Sequence, residues 1–136
     1  MVSLADVRDW LRGLGVPAGA SWSIGRFDGK AERSCCVYQR PSYDGAQVAL
    51  GGAEATRTLV KRASVLVHWN RNARETEQAA QALYDAIASR ATAHPGIGGD
   101  EATYIALELP EPVDLGSDSN GVFERTIWID IYYEEA

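Results

Sequence analysis

The fold is decided between residues 61 and 91, which have the sequence KRASVLVHWNRNARETEQAAQALYDAIASRA. Apolar side chains recur at every second position from Lys61 to Asn70, which predicts a strand that is buried on one face. Asn72 followed by Glu75 is typical of a helix N-terminus with a capping box. Alanines and larger aliphatic residues then recur at helical spacing, so we predict an amphipathic helix that ends near Ala91.

Two more strands are expected after this helix. Alternating apolar side chains predict a strand over Thr103–Leu109, which Pro110 ends. A turn-rich connection over Asp114–Gly121 ends in Asn-Gly. The last predicted strand extends from Val122 to Tyr133, and its apolar face contains Phe123, Ile127, Ile129, Ile131 and Tyr133.

The opposite face of the last strand is partly aromatic, with Glu124, Thr126, Trp128, Asp130 and Tyr132. One helical layer suffices to cover one side of a small sheet, so a second aromatic face indicates contact with another molecule. We therefore predict Trp128 and Tyr132 as interface residues. The alternative is that the N-terminal helix packs over them.

The N-terminal region is predicted to contain a short helix and two strands. Apolar residues at helical spacing from Leu4 to Leu14 follow Ser3, a suitable N-cap. Two strand-like segments, Ser21–Phe27 and Ser34–Arg40, are separated by Asp28-Gly29-Lys30, a turn that predicts a hairpin.

The segment from Pro41 to Thr58 contains three glycines and shows no clear period. A structureless stretch of this length is unusual in a compact domain, so we expect a functional loop or arm. Its apolar residues Tyr43, Val48 and Leu50 are predicted to contact a neighbouring molecule. The alternative is a short hairpin around Gln47–Leu50.

Together these elements predict one α+β domain over residues 1–136. It has a mostly antiparallel sheet of about five strands, with one long and one short helix packed on it.

Charge is distributed unevenly along the chain, whose net charge is −6. Residues 1–74 hold 11 basic and 6 acidic residues (+5), whereas residues 75–136 hold 2 basic and 13 acidic residues (−11). The acidic balance argues against duplex DNA binding as the main function, because such binding needs a basic face. The two halves could give the domain a positive and a negative side; alternatively, folding interleaves them and leaves no dipole.

The candidates for chemistry are few. Cys35 and Cys36 are adjacent and so cannot pair with each other on a strand, and we expect reduced, apolar thiols. A Cys36–His68 pair is conceivable, but a hydrogen-bonded structural histidine is the preferred interpretation. The acidic residues Glu108, Glu111, Asp114 and Asp118 lack the spacing of a calcium loop, so we interpret them as solvated. We predict no catalytic residue, cofactor or metal.

Neither a membrane span nor a leader peptide is predicted. No apolar segment approaches the ~20 residues that a bilayer helix needs. Residues Met1–Asp6 lack a basic region followed by an apolar one. We therefore expect synthesis in a cytoplasm.

Two stretches resemble bacteriophage minor capsid proteins of the tail-terminator type. They are LVHWNRNARETEQAAQALYDAI (Leu66–Ile87) and EPVDLGSDSNGVFERTIWIDIYY (Glu111–Tyr133). The shared motifs are His-Trp-Asn at residues 68–70, Glu-Thr-Glu at residues 75–77, and Gly-Val-Phe-Glu-Arg at residues 121–125. The resemblance is close in the C-terminal half and extends to the first 60 residues only in element order.

The resemblance implies a structural virion protein at the phage head–tail junction, made in the host cytoplasm. Such proteins form homo-oligomeric rings, usually hexamers, that cap the tail tube and dock to the head connector, and DNA passes through without specific binding. The alternatives are another neck component, such as a head-closure or connector protein, or a small intracellular enzyme or ligand-binding module.

Overall fold

The computed structural model describes residues 2–26, 31–40, 47–48, 57–90, 95–98 and 102–135. Its elements, in chain order, are α1 (Leu4–Arg12), β1 (Ser21–Ile24), β2 (Ser34–Gln39), β3 (Gln47–Val48), β4 (Arg57–His68), α2 (Ala73–Arg90), β5 (Ala102–Leu107), β6 (Val113–Ser117) and β7 (Phe123–Glu135). No helix in these ranges is long and apolar enough to span a membrane.

The strands form one seven-stranded sheet in the order β1-β2-β4-β7-β5, with β3 beside β4 and β6 beside β7. The β1–β2 pair is parallel, and the other described pairs are antiparallel. The predicted α+β class with a mostly antiparallel sheet is confirmed. The sheet exceeds the expected five strands because β3 and β6 are short segments inside stretches predicted as loops.

The two longest strands, β4 and β7, lie side by side at the centre of the sheet. Their register extends from Arg57↔Glu135 to His68↔Glu124. On one side of the pair, Val65 lies opposite Ile127 and Ala63 lies opposite Ile129, and all four are buried. The centre of the fold therefore joins a strand of the basic half to a strand of the acidic half.

Both helices cover the same face of the sheet. The single core cluster unites buried residues of α1 and α2 with those of the central strands: Val7, Leu11, Ala80, Leu83, Ile87, Val65, Val67, Ile127, Ile129 and Ile131. The short helix therefore does not cover Trp128 and Tyr132, and that alternative is wrong. The nine-residue α1 packs on β1 and β2, whereas α2 packs on β4 and β7.

The helix caps confirm the local signals in the sequence. Ser3 caps α1 through a reciprocal capping box with Asp6. At α2, the Asn72 side chain accepts a hydrogen bond from the Glu75 N–H at 3.0 Å. The Glu75 carboxylate, however, accepts from the Asn70 amide at 2.7 Å, and the Asn72 N–H donates to Asn70 Oδ1 at 3.0 Å. Asn70 thus mediates the second half of the cap.

The predicted hairpin between β1 and β2 is wrong. The two strands are parallel, with Ser21 opposite Ser34 and Ile24 opposite Val37. A tight two-residue turn cannot join parallel strands, because the chain must first return to the starting end. The proposed turn at residues 28–30 lies outside the described residues. The alternation that predicts a strand carries no information about its direction, and for that reason the orientation was missed.

Two predicted boundaries also change. Val113–Ser117 is a strand paired with β7 rather than part of a turn, and the turn is confined to Asp118–Gly121. Strand β4 begins at Arg57, inside the predicted 41–58 arm, and Gln47–Val48 pairs with its first residues. That pairing agrees with the alternative of a short hairpin, whereas Tyr43 and Leu50 lie outside the described residues.

Candidate functional site

The sheet face opposite the helices, here called the open face, carries both of the described aromatic interface candidates. The register places Ser64 opposite Trp128 and Tyr104 opposite Tyr132, out of phase with the buried isoleucines of β7. Residues that follow the same alternation on neighbouring strands complete this face, and they include Tyr38, Arg40, Arg62, Glu108 and Asp130.

Arg40 organises the centre of the open face. Its guanidinium donates to the Glu108 carboxylate at 2.6 Å and to the Asp130 carboxylate at 2.8 Å. It also donates to the backbone carbonyls of Ala63 and Ile129, both at 3.1 Å. The same group lies over the Trp128 ring, 4.8 Å from its centroid, which is cation–π geometry. One arginine after β2 therefore connects β4, β7 and the end of β5.

The electrostatics of this network follow from partial burial. The Asp130 side chain is 11% exposed, and burial raises the pKa of its carboxyl group, as does the nearby Glu108 charge. The hydrogen bond and positive charge of Arg40 act in the opposite direction on that pKa. Arg62 adds a longer ion pair to the same carboxylate at 3.8 Å. A carboxylate buried this way depends on its arginine, because charges removed from water need a partner.

Aromatic side chains surround this polar centre and remain accessible. Trp128 is 36% exposed and Tyr104 is 50% exposed. The rings of Tyr104 and Tyr132 lie 5.8 Å apart and are tilted by 42°. The predicted position of Trp128 and Tyr132 on a helix-free face is thus observed. Sequence reasoning missed Tyr104, although its alternation with the buried Ile105 was a usable signal.

The two motif-bearing stretches meet at one end of the sheet. The buried His68 ring contacts the Ala31 carbonyl through Nδ1 at 2.8 Å and the Asp118 carboxylate through Nε2 at 2.9 Å. A carbonyl oxygen can only accept, so Nδ1 carries a hydrogen. The adjacent backbone continues this junction: Trp69 donates to the Phe123 carbonyl at 3.2 Å, and Phe123 donates to that of Asn70 at 2.8 Å.

Asp118 ties this junction to the β6–β7 turn. Its carboxylate accepts from the N–H groups of Asn120 at 2.9 Å and Val122 at 3.0 Å. The hydrogen bond with His68 and these backbone donors lower the pKa of the Asp118 carboxyl group. His68 and Asp118, which are 50 residues apart in the sequence, therefore belong to one hydrogen-bonded junction between the two stretches.

The other candidates for chemistry have structural explanations. Both ring nitrogens of His68 are engaged by Ala31 and Asp118, so the geometry favours the structural histidine over a Cys36–His68 pair. Burial raises the pKa of the Cys35 thiol to about 12, so that side chain is a thiol and not a reactive thiolate. Within the described ranges, no three His, Cys, Asp or Glu residues are grouped so that they could hold a metal ion.

Three of the acidic residues predicted as solvated also contact basic side chains, while Glu108 and Asp114 remain more than one-third exposed. Glu108 pairs with Arg40, Asp118 contacts His68, and Asp114 lies 3.6 Å from Arg125. The first of these joins the basic half of the chain to the acidic half, as does the pairing of β4 with β7. The described strands of the two halves are otherwise kept apart, with β1, β2, β3 and β4 on one side of the β4–β7 boundary and β7, β5 and β6 on the other, so the halves are not interleaved in the sheet.

Comparison with known proteins identifies the family. A family model described as bacteriophage tail terminator protein matches residues 10–135, which include every strand and the whole of α2. No curated protein matches the chain significantly. The match covers far more than half of the sequence and agrees with the two motif-bearing stretches that meet at His68 and Asp118. The chain therefore belongs to the bacteriophage tail terminator family and is a structural protein of the phage tail.

Proposed function

We propose that this protein forms a homo-oligomeric ring, a hexamer as in similar proteins, that caps the tail tube and docks to the head connector. The observation that carries the proposal is the open face, where exposed aromatic side chains surround a hydrogen-bonded charged centre. The ring stops tube polymerisation by covering the last layer of tube protein, and it offers its other side to the head-completion protein.

The open face has the properties of a rigid docking surface. Trp128 is held under the Arg40 guanidinium, so little side-chain freedom is lost when a partner covers it. Tyrosine, tryptophan and arginine are the residues that most often supply binding energy at protein interfaces. Because Glu108 and Asp130 already pair with Arg40, covering this centre leaves no charge there without its partner. We assign this face to the tail tube protein.

The segment from Pro41 to Thr58 is proposed to act as an arm that adds Tyr43, Val48 and Leu50 to the contact. The support is its length, its glycines and its apolar residues. The pairing of Gln47–Val48 with the start of β4 anchors part of this segment beside the sheet. We expect the arm to contact a neighbouring copy or the tail tube.

DNA is proposed to pass through the ring without specific contacts. The chain has a net charge of −6 and a pI of about 4.8, so its average surface repels phosphate. Specific binding would require base-edge contacts and a basic surface. We propose that the protein lies at the head–tail junction of the virion, after assembly in the host cytoplasm.

The test measures tail length together with oligomeric mass. Tails are assembled from tube protein with no terminator, with wild-type protein, or with a Tyr104→Ser/Trp128→Ser variant. We expect uniform tails with wild type and overlong tails in the other two cases, because the variant lacks the exposed aromatic contacts. Arg74→Ala, on the exposed side of α2, is the matched control and should behave as wild type.

Two results would contradict the proposal. One is a wild-type protein that stays monomeric by native mass spectrometry, both alone and with tube protein. The other is a folded Tyr104→Ser/Trp128→Ser variant that still gives tails of normal length, which would remove the open face from the docking role.

A further inference from the structure

We propose that copies of this chain join edge to edge, with the β6 edge of one copy adding to the β1 edge of the next. This inference rests on the proposed ring and names the two surfaces that close it. The partner is therefore a second copy of the same chain, bound through backbone hydrogen bonds between strands and through opposite charges at the strand ends.

Strand β1 forms one edge of the described sheet, and β6 and β5 lie one after the other along β7 at the opposite edge. Among the described strands, β1 pairs with β2 alone and β6 pairs with β7 alone. An edge strand presents N–H and C=O groups that can accept a further strand. The two edges are also matched in length, with four residues in β1 and five in β6.

The β6 edge exposes two apolar side chains. Leu115 is 52% exposed and Val113 is 36% exposed. Pro112, directly before the strand, has no N–H group, so ladder pairing can begin only at Val113. The register with β7 shifts between Asp114 and Gly116, and the Gly116 N–H already donates to the Asp114 carboxylate at 2.8 Å. The available edge is therefore the short segment from Val113 to Leu115, whose exposed apolar side chains suit a single partner strand.

The charges at the two edges are of opposite sign. Exposed Glu111 and Asp114 lie before and within β6. Asp114 also lies 3.6 Å from Arg125 on the neighbouring strand, so Glu111 contributes most of the net acidic charge at this edge. Strand β1 has an exposed arginine near each end. Arg26 follows the strand, and Arg33 lies beside its first residue, where the Ser21 N–H donates to the Arg33 carbonyl at 2.9 Å.

These charges select a head-to-tail contact. A two-fold β6–β6 pairing would place carboxylates against carboxylates, and a β1–β1 pairing would place arginines against arginines. The β6–β1 pairing places opposite charges together. A contact between two different surfaces is heterologous, and such contacts form a ring when the rotation between copies closes.

The experiment uses charge reversal on each edge of the full chain. Glu111→Lys/Asp114→Lys makes the β6 edge basic, and Arg26→Glu/Arg33→Glu makes the β1 edge acidic. Alone, each variant should need at least a tenfold higher protein concentration to assemble, because like charges then meet at the contact. Mixed in equal amounts, they should regain a closed oligomer by native mass spectrometry, with equal numbers of the two variants alternating around it.

The controls separate this contact from a general effect of charge or folding. Asp85→Lys/Glu134→Lys and Arg71→Glu/Arg74→Glu reverse the same number of charges at exposed positions in α2, near the end of β7 and just before α2, and should assemble as wild type. Thermal unfolding checks that each variant is folded. Because Arg33 lies 6.0 Å from the Trp69 ring centroid, the single pair Arg26→Glu and Glu111→Lys provides a milder version of the same test.

The outcomes distinguish this inference from the proposed function. If folded edge variants assemble alone as wild type does, or if the mixture stays monomeric, the edge contact is wrong while the proposed ring stands. If wild-type protein forms no ring under any assembly condition, both proposals fail.

Discussion

The two faces of the sheet differ in their side chains, although the same strands form both. The covered face consists of aliphatic residues such as Val65, Ile127 and Ile129, which are buried under the two helices. The open face has no helix among the described residues, yet Asp130 is buried because Arg40 and its neighbours cover it. The covered face obtains its stability from burial of apolar surface, whereas the open face depends on a polar network that must be complete.

The largest effect is expected on the covered face, from Leu83→Ala. Leu83 is fully buried in the core between α2 and the sheet. Removal of a buried leucine side chain costs about 2–5 kcal/mol of unfolding free energy. Urea denaturation measures the loss. Gln81→Ala, on the exposed side of the same helix, should change stability by less than about 0.5 kcal/mol, and an equal loss in both would mean that α2 presents another side to the sheet.

On the open face, Arg40→Met is expected to lower the free energy of unfolding by less than Leu83→Ala does, and by an amount that depends on pH. It leaves Asp130 and Glu108 without their main cation. The free energy of unfolding should fall by about 1–3 kcal/mol, because these groups are not fully buried. Burial already raises the pKa of Asp130, and loss of Arg40 raises it further. A carboxyl group with a raised pKa destabilises the fold as pH rises through that pKa, so the variant should be weakest near neutral pH.

Urea denaturation of Arg40→Met at about pH 4.5 and at pH 7 tests this expectation. The loss of unfolding free energy relative to wild type should be smaller at the lower pH, because the raised pKa of Asp130 leaves more of this carboxyl group protonated there. The double variant Arg40→Met/Asp130→Asn should recover part of the loss. A deficit that is independent of pH would show that packing on Trp128, and not charge, is the main contribution of Arg40.

A smaller loss is expected at the sheet end, from Asp118→Asn. Asparagine retains an oxygen for His68 but loses the charge that the backbone donors of Asn120 and Val122 favour. The pKa of Asp118 is lowered in the folded protein. Its contribution is therefore present above the ordinary aspartate pKa of 3.8 and disappears as pH falls through the lowered value.

Thermal unfolding of wild type and Asp118→Asn between pH 7 and pH 2 provides the measurement. The two melting curves should differ at neutral pH and converge in acid. A constant difference across that range would place the effect of the substitution in turn geometry instead of charge.

The smallest effect is expected from a comparison of the two adjacent thiols, Cys35 and Cys36, which lie on opposite faces of the sheet. Cys35 belongs to the helix-covered core, whereas Cys36 is equally buried on the open face. Exposure of Cys35 should require global unfolding, while local motion of the side chains over Cys36 should be enough to expose it. In Cys36→Ser and Cys35→Ser single-thiol variants, a thiol reagent should label Cys36 faster than Cys35 at low urea. Equal labelling rates would mean that both faces open only together.

The covered face could be predicted from the sequence far better than the open face. Leu83 and the isoleucines of β7 lie where their periodicity places them, because burial against one layer requires only a repeating apolar pattern. Trp128 and Tyr132 were placed on the correct face for the same reason. The Arg40 network was not predictable, since Arg40 and Glu108 directly follow two different strands and Asp130 lies on a third.

Local chemistry in the chain was sufficient for α2, its Asn72 cap, the strands β4 and β7, and the α+β class. These features depend on neighbours within one or two turns of helix or a few strand residues, so short-range spacing encodes them. The direction of β1, the pairing of β6, the partner of His68 and the separation of the two charged halves on either side of the β4–β7 pair arose only from strand order and register. Those depend on contacts between residues tens of positions apart, which no local pattern specifies.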